Sequence, residues 1–289
     1  MTSPCVLCSG SRQVRLFAKG GRDFLRCARC GLVRVDPLPS SEELMLHYER
    51  SYRHGNYSLF ADAADIRRGI AEYRLQIVRK FARPGRWLDV GCSGGDFIQA
   101  AQKAGMEAEG LDLSAEAVAR ARERGLTAHH SRVEDFAPVR PYDTITAFDL
   151  IEHSLDPRAF IGRFREWLAR DGTLVLALPD VGSIYPQLLM RRHWFYYAPD
   201  DHLFYFNKHT ISRLLTEEGF AVGEISRAYK PLSLRYSAET LRLFDARLGR
   251  IASQVVAMLP TKLSSRKWKL YVGEMLVRAE RKEAEQCPA

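Results

Sequence analysis

Between residues 86 and 179 the chain alternates five short apolar strands with helices. The predicted strands are RWLDVGC, MEAEGLDL, LTAHHSRV, YDTITAFDLI and TLVLALP, and two later strands, FAVGEISRAY and KLYVGEMLVRAERK, follow a looped region and a helix. Strands that alternate with helices at this spacing form a mostly parallel sheet covered by helices on both faces. The alternation therefore predicts an α/β fold whose ligands bind at the carboxyl ends of the strands.

Three of the predicted helices begin at residues suited to capping a helix N-terminus. Ser114, Asp156 and Asn207 each precede a helical pattern, and Pro157 occupies the first turn of the second one, DPRAFIGRFREWLARDG. Nearer the C-terminus, AETLRLFDARLGRIASQVVAML predicts one long amphipathic helix packed between strands six and seven.

The first predicted strand runs into the glycine-rich stretch Trp87–Phe97, WLDVGCSGGDF. A phosphate-binding P-loop needs a lysine where Asp96 stands, and a dinucleotide fingerprint needs a glycine where Ser93 stands. The Asp89 carboxylate just before the turn would repel a pyrophosphate and attract an ammonium group. Asp112, which ends the second strand, can accept hydrogen bonds from both hydroxyls of a ribose. An ammonium site beside a ribose site predicts S-adenosylmethionine (SAM) as the ligand.

Several motifs along the chain share an order and spacing with a known family. LDVGCSGGDF, EGLDLS, YDTITAFDLIEHSLDP, LARDGTLVLALP and HLFYFNKHTISRLLTEEGF resemble the successive motifs of class I SAM-dependent methyltransferases, over roughly residues 73 to 230. They are similar in particular to the branch that contains ubiquinone-type, sugar and natural-product methyltransferases. The resemblance implies a Rossmann-like fold with a seven-stranded, mostly parallel sheet.

The resemblance also assigns residues to the cofactor. It implies that Leu113 packs against the adenine, that Glu134 and the backbone of Val133 lie at the adenine edge, and that Phe148 and Asp149 lie near the methionine part. The full set of expected SAM-binding residues is Asp89, Gly91, Ser93, Gly95, Asp112, Leu113, Val133, Glu134, Phe148 and Asp149.

Four of the six cysteines lie near the N-terminus in two CxxC pairs: Cys5, Cys8, Cys27 and Cys30. This spacing is typical of a four-cysteine zinc site, with a redox dithiol or an iron–sulfur site as alternatives. About thirty residues cannot bury enough apolar surface to fold alone, so a bound zinc ion would supply the missing free energy. A site filled by four sulfurs is closed, which favours a structural zinc rather than a catalytic one.

These patterns divide the chain into three predicted parts: a zinc ribbon over residues 1–38, a linker and helical cap over 39–72, and a SAM-binding methyltransferase domain over 73–289. The N-terminal sequence has no apolar signal-peptide core and no apolar run is long enough to cross a bilayer, so a cytoplasmic enzyme is expected. The oligomeric state is left open.

Methyl transfer requires the acceptor to be aligned with the methyl carbon, and often requires a base to remove its proton. His153 follows the fourth strand, close to the expected position of the methyl group. His202 lies in the segment after strand five, which commonly closes over the acceptor in this fold, and aromatic residues crowd it. Glu152 is a third candidate, as a base or as a partner of the acceptor hydroxyl. We therefore predict the catalytic residues to be among His202, His153 and Glu152.

The resemblance implies a small-molecule acceptor such as a sugar, a polysaccharide precursor or a secondary metabolite. We expect methylation at oxygen, and carbon and nitrogen stay open as alternatives. The basic run Arg191, Arg192 and His193 suggests a clamp for an anionic or nucleotide-linked acceptor, although such runs are more often solvated. Two other functions stay open. One is a nucleic-acid methyltransferase that reads its substrate with the ribbon, although the formal charge of +8 is scattered and no basic stripe supports a nucleic-acid partner. The other is a non-catalytic SAM-binding protein.

Overall fold

A computed structural model of the chain describes residues 3–54, 63–244 and 246–282. Its strands are β1 (Gln13–Lys19), β2 (Arg22–Cys27), β3 (Val33–Asp36), β4 (Arg86–Val90), β5 (Glu107–Asp112), β6 (Ala128–His130), β7 (Tyr142–Phe148), β8 (Leu168–Pro179), β9 (Phe204–Tyr205), β10 (Phe220–Ser233) and β11 (Lys267–Arg281). Its helices are α1 (Ser41–His54), α2 (Ala64–Val78), α3 (Asp96–Lys103), α4 (Ala115–Glu123), α5 (Pro157–Trp167), α6 (Lys208–Glu217), α7 (Leu234–Phe244), α8 (Ala246–Ala257) and α9 (Thr261–Ser264).

Seven strands form the main sheet, in the order β6-β5-β4-β7-β8-β11-β10. The strands from β6 to β8 pair in parallel, whereas β11 pairs antiparallel with both β8 and β10. The predicted α/β fold with a seven-stranded, mostly parallel sheet is confirmed. The direction of strand progression reverses between β4 and β7, so the carboxyl ends of these two strands flank the crevice where such sheets bind ligands.

The helix starts follow the capping residues of the sequence. The side chains of Ser114, Asp156 and Asn207 each accept a hydrogen bond from a backbone N–H in the first turn of α4, α5 and α6. Helix α5 ends earlier than predicted, at Trp167, because Leu168 is already extended and pairs with β7.

The single long helix predicted near the C-terminus is wrong. Two helices, α7 and α8, occupy this stretch and pack against each other, so closely that a Cβ added at Gly249 would lie 2.4 Å from the backbone of Arg242. Ile251 and Val255 of α8, and Met258 directly after it, are each exposed by 55% or more, so this face is not covered by strands six and seven. No helix within the described ranges is long and apolar enough to cross a membrane.

A second, four-stranded sheet lies at the N-terminus, in the order β1-β2-β3-β9. Its last strand comes from the segment after β8, and Val35 donates a backbone hydrogen bond to the carbonyl of Leu203 at 3.0 Å. Buried residues of this sheet, such as Phe24, share one continuous core with Leu88 and Val90 of the main sheet. The boundary at residue 38 therefore joins two parts that pack on each other, and the three-part division stays a prediction.

Candidate functional site

The turn between β4 and α3 combines a left-handed backbone with close packing. Gly91, Ser93 and Gly95 have φ of 76°, 48° and 81°, a region that favours glycine. A Cβ added at Gly95 would lie 2.5 Å from the side chain of Leu126. Ser93, which stands where a glycine is commoner, takes up the same backbone conformation, so the turn accommodates it.

Asp112 fixes this turn to the end of β5. Its side chain is 7% exposed, and its two carboxylate oxygens accept hydrogen bonds from the backbone N–H groups of Ser93 and Ser114, both at 2.8 Å. Burial raises the pKa of Asp112, and the backbone hydrogen bonds oppose this effect. Each oxygen keeps further acceptor capacity, because a carboxylate oxygen has two lone pairs.

Asp89 lies inside the sheet, directly before the turn. Its carboxylate accepts a hydrogen bond from the Thr146 hydroxyl at 2.7 Å and is 6% exposed. Burial raises its pKa to about 7, against the opposing effects of Thr146 and the positive charge of Arg74. A buried carboxylate of this kind favours the approach of a cationic group.

The remaining residues assigned to the cofactor lie along the same edge, at different depths. Phe148 is buried and packs edge-on against Phe97, with ring centroids 5.0 Å apart. Val133 is buried and Leu113 is half-buried. Glu134 is exposed and forms an ion pair with Arg132 at 3.4 Å, so its carboxylate faces outward.

Asp149, immediately after β7, belongs to a partly buried charge cluster that sequence reasoning missed. The cluster is formed by Arg74, Asp149, Tyr196, Lys230 and Glu274. Arg74 contacts the Asp149 carboxylate at 2.6 Å, and Lys230 lies 3.4 Å from it. Burial raises the pKa of Asp149, but the charges of Lys230 and Arg74 outweigh this and hold the pKa well below its usual range. Lys230 also pairs with Glu274 and lies 3.0 Å from the Tyr196 hydroxyl.

The sequence signal for this cluster is a charged residue inside an apolar strand. Lys230 lies in β10 and Glu274 in β11, and Glu274 is only 1% exposed. Lysine and glutamate are almost never fully buried unless they are paired, so their presence in these strands predicts a partner. The sequence does not say which partner, because Lys230 and Glu274 lie 44 positions apart in the chain.

The three predicted catalytic residues come together. Glu152 and His153 lie in a 3-10 turn after β7, and His202 lies just before β9. One side-chain donor atom from each residue lies within 4.8 Å of the other two, and all three residues are at least 92% buried. The backbone carbonyl of Glu152 accepts a hydrogen bond from Leu203 at 2.8 Å, which ties the two segments to each other.

Burial determines the protonation of this Glu–His–His group. It raises the pKa of the Glu152 carboxyl well above its usual value and lowers the pKa of both histidines, that of His202 to about 3. His202 is therefore unprotonated at neutral pH and a weak proton acceptor, which makes it a poorer general base than the sequence alone indicates.

The aromatic residues around His202 form core rather than a pocket lining. Tyr197 and Tyr205 are buried against the small sheet, where Phe24 packs on both with ring centroids 5.2 and 5.3 Å away. The side chains of Arg191 and Arg192 are exposed in a neighbouring 3-10 turn. The four-stranded N-terminal sheet, called the ribbon sheet below, thus covers the segment that carries His202.

The sulfurs of the four N-terminal cysteines, Cys5, Cys8, Cys27 and Cys30, lie within 4.8 Å of one another. The Cys5–Cys30 and Cys8–Cys27 sulfur distances are 3.5 and 3.4 Å. Four thiolates around a tetrahedral zinc ion, with Zn–S bonds of about 2.3 Å, lie about 3.8 Å apart, so the cluster fits this ion. Gly31 has a φ of 82°, a conformation that favours glycine directly after the second pair.

Comparison with known proteins agrees with this geometry. The profile of a family described as a methyltransferase domain matches residues 63–225, which is more than half of the chain. A ubiquinone biosynthesis O-methyltransferase of Actinobacillus pleuropneumoniae is 37% identical over 99 residues, which cover 30% of this chain and 42% of the relative. The chain thus spans less than half the length of that relative.

Two solved structures share the fold at low identity. A SAM-dependent methyltransferase of Archaeoglobus fulgidus is 17% identical, with a TM-score of 0.50 over 82% of this chain and 99% of its own. The plantazolicin methyltransferase BpumL, solved with S-adenosylhomocysteine, is 13% identical, with a TM-score of 0.51 over 84% of this chain and 98% of its own. The chain belongs to the methyltransferase-domain family and has the Rossmann-like fold of class I SAM-dependent methyltransferases.

Proposed function

We propose that the protein transfers the methyl group of SAM to an oxygen of a small-molecule acceptor. The observation that carries this proposal is the pair of buried carboxylates, Asp89 and Asp112, on either side of the glycine turn at the carboxyl edge of the sheet. The family match and the fold support the cofactor, and the name of the O-methyltransferase relative supports oxygen as the methylated atom.

In this proposal the two carboxylates bind opposite ends of SAM. Asp112 accepts hydrogen bonds from the ribose hydroxyls, and the buried Asp89 attracts the ammonium group of the methionine part. Gly91 and Gly95 would leave the backbone bare beside the cofactor, and Ser93 adopts the same left-handed conformation between them. Leu113, Val133 and Glu134 would surround the adenine, and Phe148 and Asp149 would lie beside the methionine part.

The reaction is a displacement at the methyl carbon. An acceptor oxygen forms a bond to this carbon while the carbon–sulfur bond breaks, the electron pair stays on sulfur, and S-adenosylhomocysteine leaves. The protein has to align the oxygen behind the methyl group, exclude water and receive the acceptor proton. Glu152, His153 and His202 are the groups that we assign to the acceptor side of this reaction.

We assign a structural zinc ion to Cys5, Cys8, Cys27 and Cys30. When bound, the ion holds the two turns of the ribbon and gives a small sheet enough stability to cover the segment before β9. Residues 1–38 would then act as a ribbon, 39–72 as linker and cap, and 73–289 as the methyltransferase domain. Exposed Arg191 and Arg192 are the residues proposed to attract an anionic acceptor.

The test uses SAM that carries an isotopically labelled methyl group. The protein is incubated with separate pools of small-molecule extract and total RNA, and the labelled products are identified by mass. We expect label in a small metabolite, and none with the Asp112→Ala variant as the control. Label in RNA would contradict the small-molecule acceptor, and label in neither pool despite measurable SAM binding would contradict the catalytic role.

A further inference from the structure

We infer that Glu152, His153 and His202 bind one divalent transition-metal ion, which holds the acceptor hydroxyl during methyl transfer. The metal site itself stands on the geometry of the three side chains. Its role in the reaction rests on the proposed methyltransferase function.

The donor atoms already have the separation that a single ion needs. One atom from each of the three residues lies within 4.8 Å of the other two. Nitrogen and oxygen ligands bound to one ion at about 2.1 Å lie roughly 3–4 Å apart. Small side-chain rotations therefore bring all three donors onto one centre.

The Glu152 carboxylate has no other partner among the residues that the structure describes. The side chain is 2% exposed, and neither of its oxygens has a hydrogen-bond donor within the described ranges. A buried polar atom without a partner costs free energy, and buried carboxylates are normally paired or coordinate a metal. A cation between Glu152 and the two histidines removes this cost.

The two imidazole rings each offer a nitrogen to a metal ion, and the His202 ring is oriented as metal ligands commonly are. His202 places Nδ1 2.8 Å from the carbonyl of Tyr196, which can only accept, so Nδ1 carries the proton and Nε2 keeps a free lone pair. The Nδ1 atom of His153 is buried and has no hydrogen-bond partner in the described part of the chain, so its lone pair is available to a metal ion. Metal-binding histidines usually donate the other ring N–H to a backbone carbonyl or carboxylate.

The surrounding charges also favour a cation. Two positive side chains, Arg74 and Lys230, lie near the half-buried carboxylate of Asp149 and the buried carboxylates of Glu152 and Glu274. The contacts of Lys230 go to Asp149 and Glu274, which leaves the carboxylate of Glu152 without a direct ion pair. A divalent ion that displaces the carboxyl proton would give the ionised Glu152 this missing partner.

The ligand set indicates what the ion does. Two histidines and one carboxylate bind zinc, manganese or iron and leave at least one coordination position open, unlike the closed four-cysteine cluster. An acceptor hydroxyl in the open position has its pKa lowered by the ion. Its proton leaves to bulk solvent when the hydroxyl binds the ion, before methyl transfer. Its oxygen then forms the bond to the methyl carbon, and the carbon–sulfur bond breaks with its electron pair on sulfur.

Manganese(II) is the probe, because it prefers oxygen and nitrogen ligands and leaves a zinc-filled cysteine site alone. The full chain is titrated with Mn²⁺, and the free ion is measured from its electron paramagnetic resonance signal. We expect one bound Mn²⁺ per chain, and at least about 10-fold weaker binding for Glu152→Gln and His202→Ala. The control is His209→Ala, which removes an exposed histidine of α6. The zinc content and the circular dichroism spectrum report whether each variant is folded.

Absence of a tight Mn²⁺ site in the wild type would overturn the inference, and so would equal binding by Glu152→Gln. If Glu152→Gln does not fold, His153→Ala serves as the second variant with the same expectation. Transfer of labelled methyl at an unchanged rate in metal-depleted, zinc-ribbon-intact protein would overturn the role of the ion and leave the methyltransferase proposal standing. Failure to bind SAM, with Mn²⁺ still bound, would count against the methyltransferase proposal alone.

Discussion

At the scale of single residues, the site contains polar groups that destabilise the fold. Asp89 is the clearest example, because burial raises its pKa from 3.8 to about 7. Such a carboxyl destabilises the folded protein when it ionises. The free energy of unfolding therefore falls as pH rises above the pKa of the unfolded chain, and the full loss is reached above the pKa of the folded protein. At pH 8 the ionised Asp89 therefore lowers the free energy of unfolding, and a bound cationic ligand would remove this destabilisation.

This predicts opposite effects of Asp89→Asn on stability and binding. The amide keeps an acceptor for the Thr146 hydroxyl but carries no charge. We expect the ligand-free variant to be about 2 kcal/mol more stable than the wild type at pH 8 and little changed at pH 4. We expect its SAM affinity to fall about 10-fold or more. Thermal unfolding at both pH values and calorimetric titration measure the two effects, and a destabilised variant at pH 8 would contradict the account.

His202→Ala tests the acceptor side separately from the cofactor side. The Nδ1 atom of His202 bonds to the backbone carbonyl of Tyr196, which is not part of the glycine turn. We expect SAM affinity to stay within about threefold of the wild type while turnover falls about 10- to 100-fold, because the variant removes one of the three proposed metal ligands. Full activity in the variant would make His202 a purely structural residue.

The sequence predicts a site residue correctly where a short local pattern is enough to place that residue in the fold. The turn residues Gly91 and Gly95 and the acids Asp89 and Asp112 follow from their position at strand ends, and the structure brings them to one edge. Lys230 and Glu274 were missed, because their function depends on pairing across β10 and β11 and with Asp149.

At the scale of elements, the ribbon and the main sheet depend on each other. Strand β9 lies in the segment that carries His202, and it completes the ribbon sheet. Arg158 of α5 donates hydrogen bonds to the carbonyls of Val6 and Leu7, at 2.8 and 2.6 Å, on the cysteine turn. Loss of the ribbon fold should therefore disturb the acceptor side of the site.

Replacement of one ribbon cysteine tests this dependence. We expect Cys27→Ser to lose its zinc and to lower the free energy of unfolding by more than about 3 kcal/mol, because the ion supplies much of the stability of a small sheet. The matched control is Cys92→Ala, which removes a buried thiol outside the cluster and should keep the zinc. Zinc content and chemical denaturation measure both, and a zinc-loaded Cys27→Ser protein would refute the assignment.

The sequence patterns predicted individual strands and helices better than they predicted which elements pack or pair with each other. The strands of the main sheet follow from compact apolar runs, and the starts of α4, α5 and α6 follow from their caps. The two-residue strand β9 carries no periodic signal, since its pairing with β3 is set by tertiary packing. The break between α7 and α8 was also missed, because an amphipathic pattern continues across it.

At the scale of the whole molecule, one continuous core joins the ribbon to the central strands. Domains that share a core unfold together. We therefore expect zinc release and loss of main-sheet structure at the same temperature in a thermal scan. We also expect S-adenosylhomocysteine at 100 times its Kd to raise the temperature of both transitions, because it adds about 2.7 kcal/mol to the free energy of unfolding. Zinc release well below the main transition would show that the ribbon is an independent unit.

The central claim is that this chain binds SAM between Asp89 and Asp112, and one measurement tests it most directly. Calorimetric titration of the wild type and Asp112→Ala with SAM gives affinity and stoichiometry without any knowledge of the acceptor. The account predicts one SAM per wild-type chain and an affinity at least about 100-fold weaker for the variant, because two charge-assisted hydrogen bonds to the ribose are lost. Unchanged affinity in a folded Asp112→Ala protein, or no binding by the wild type, would contradict it.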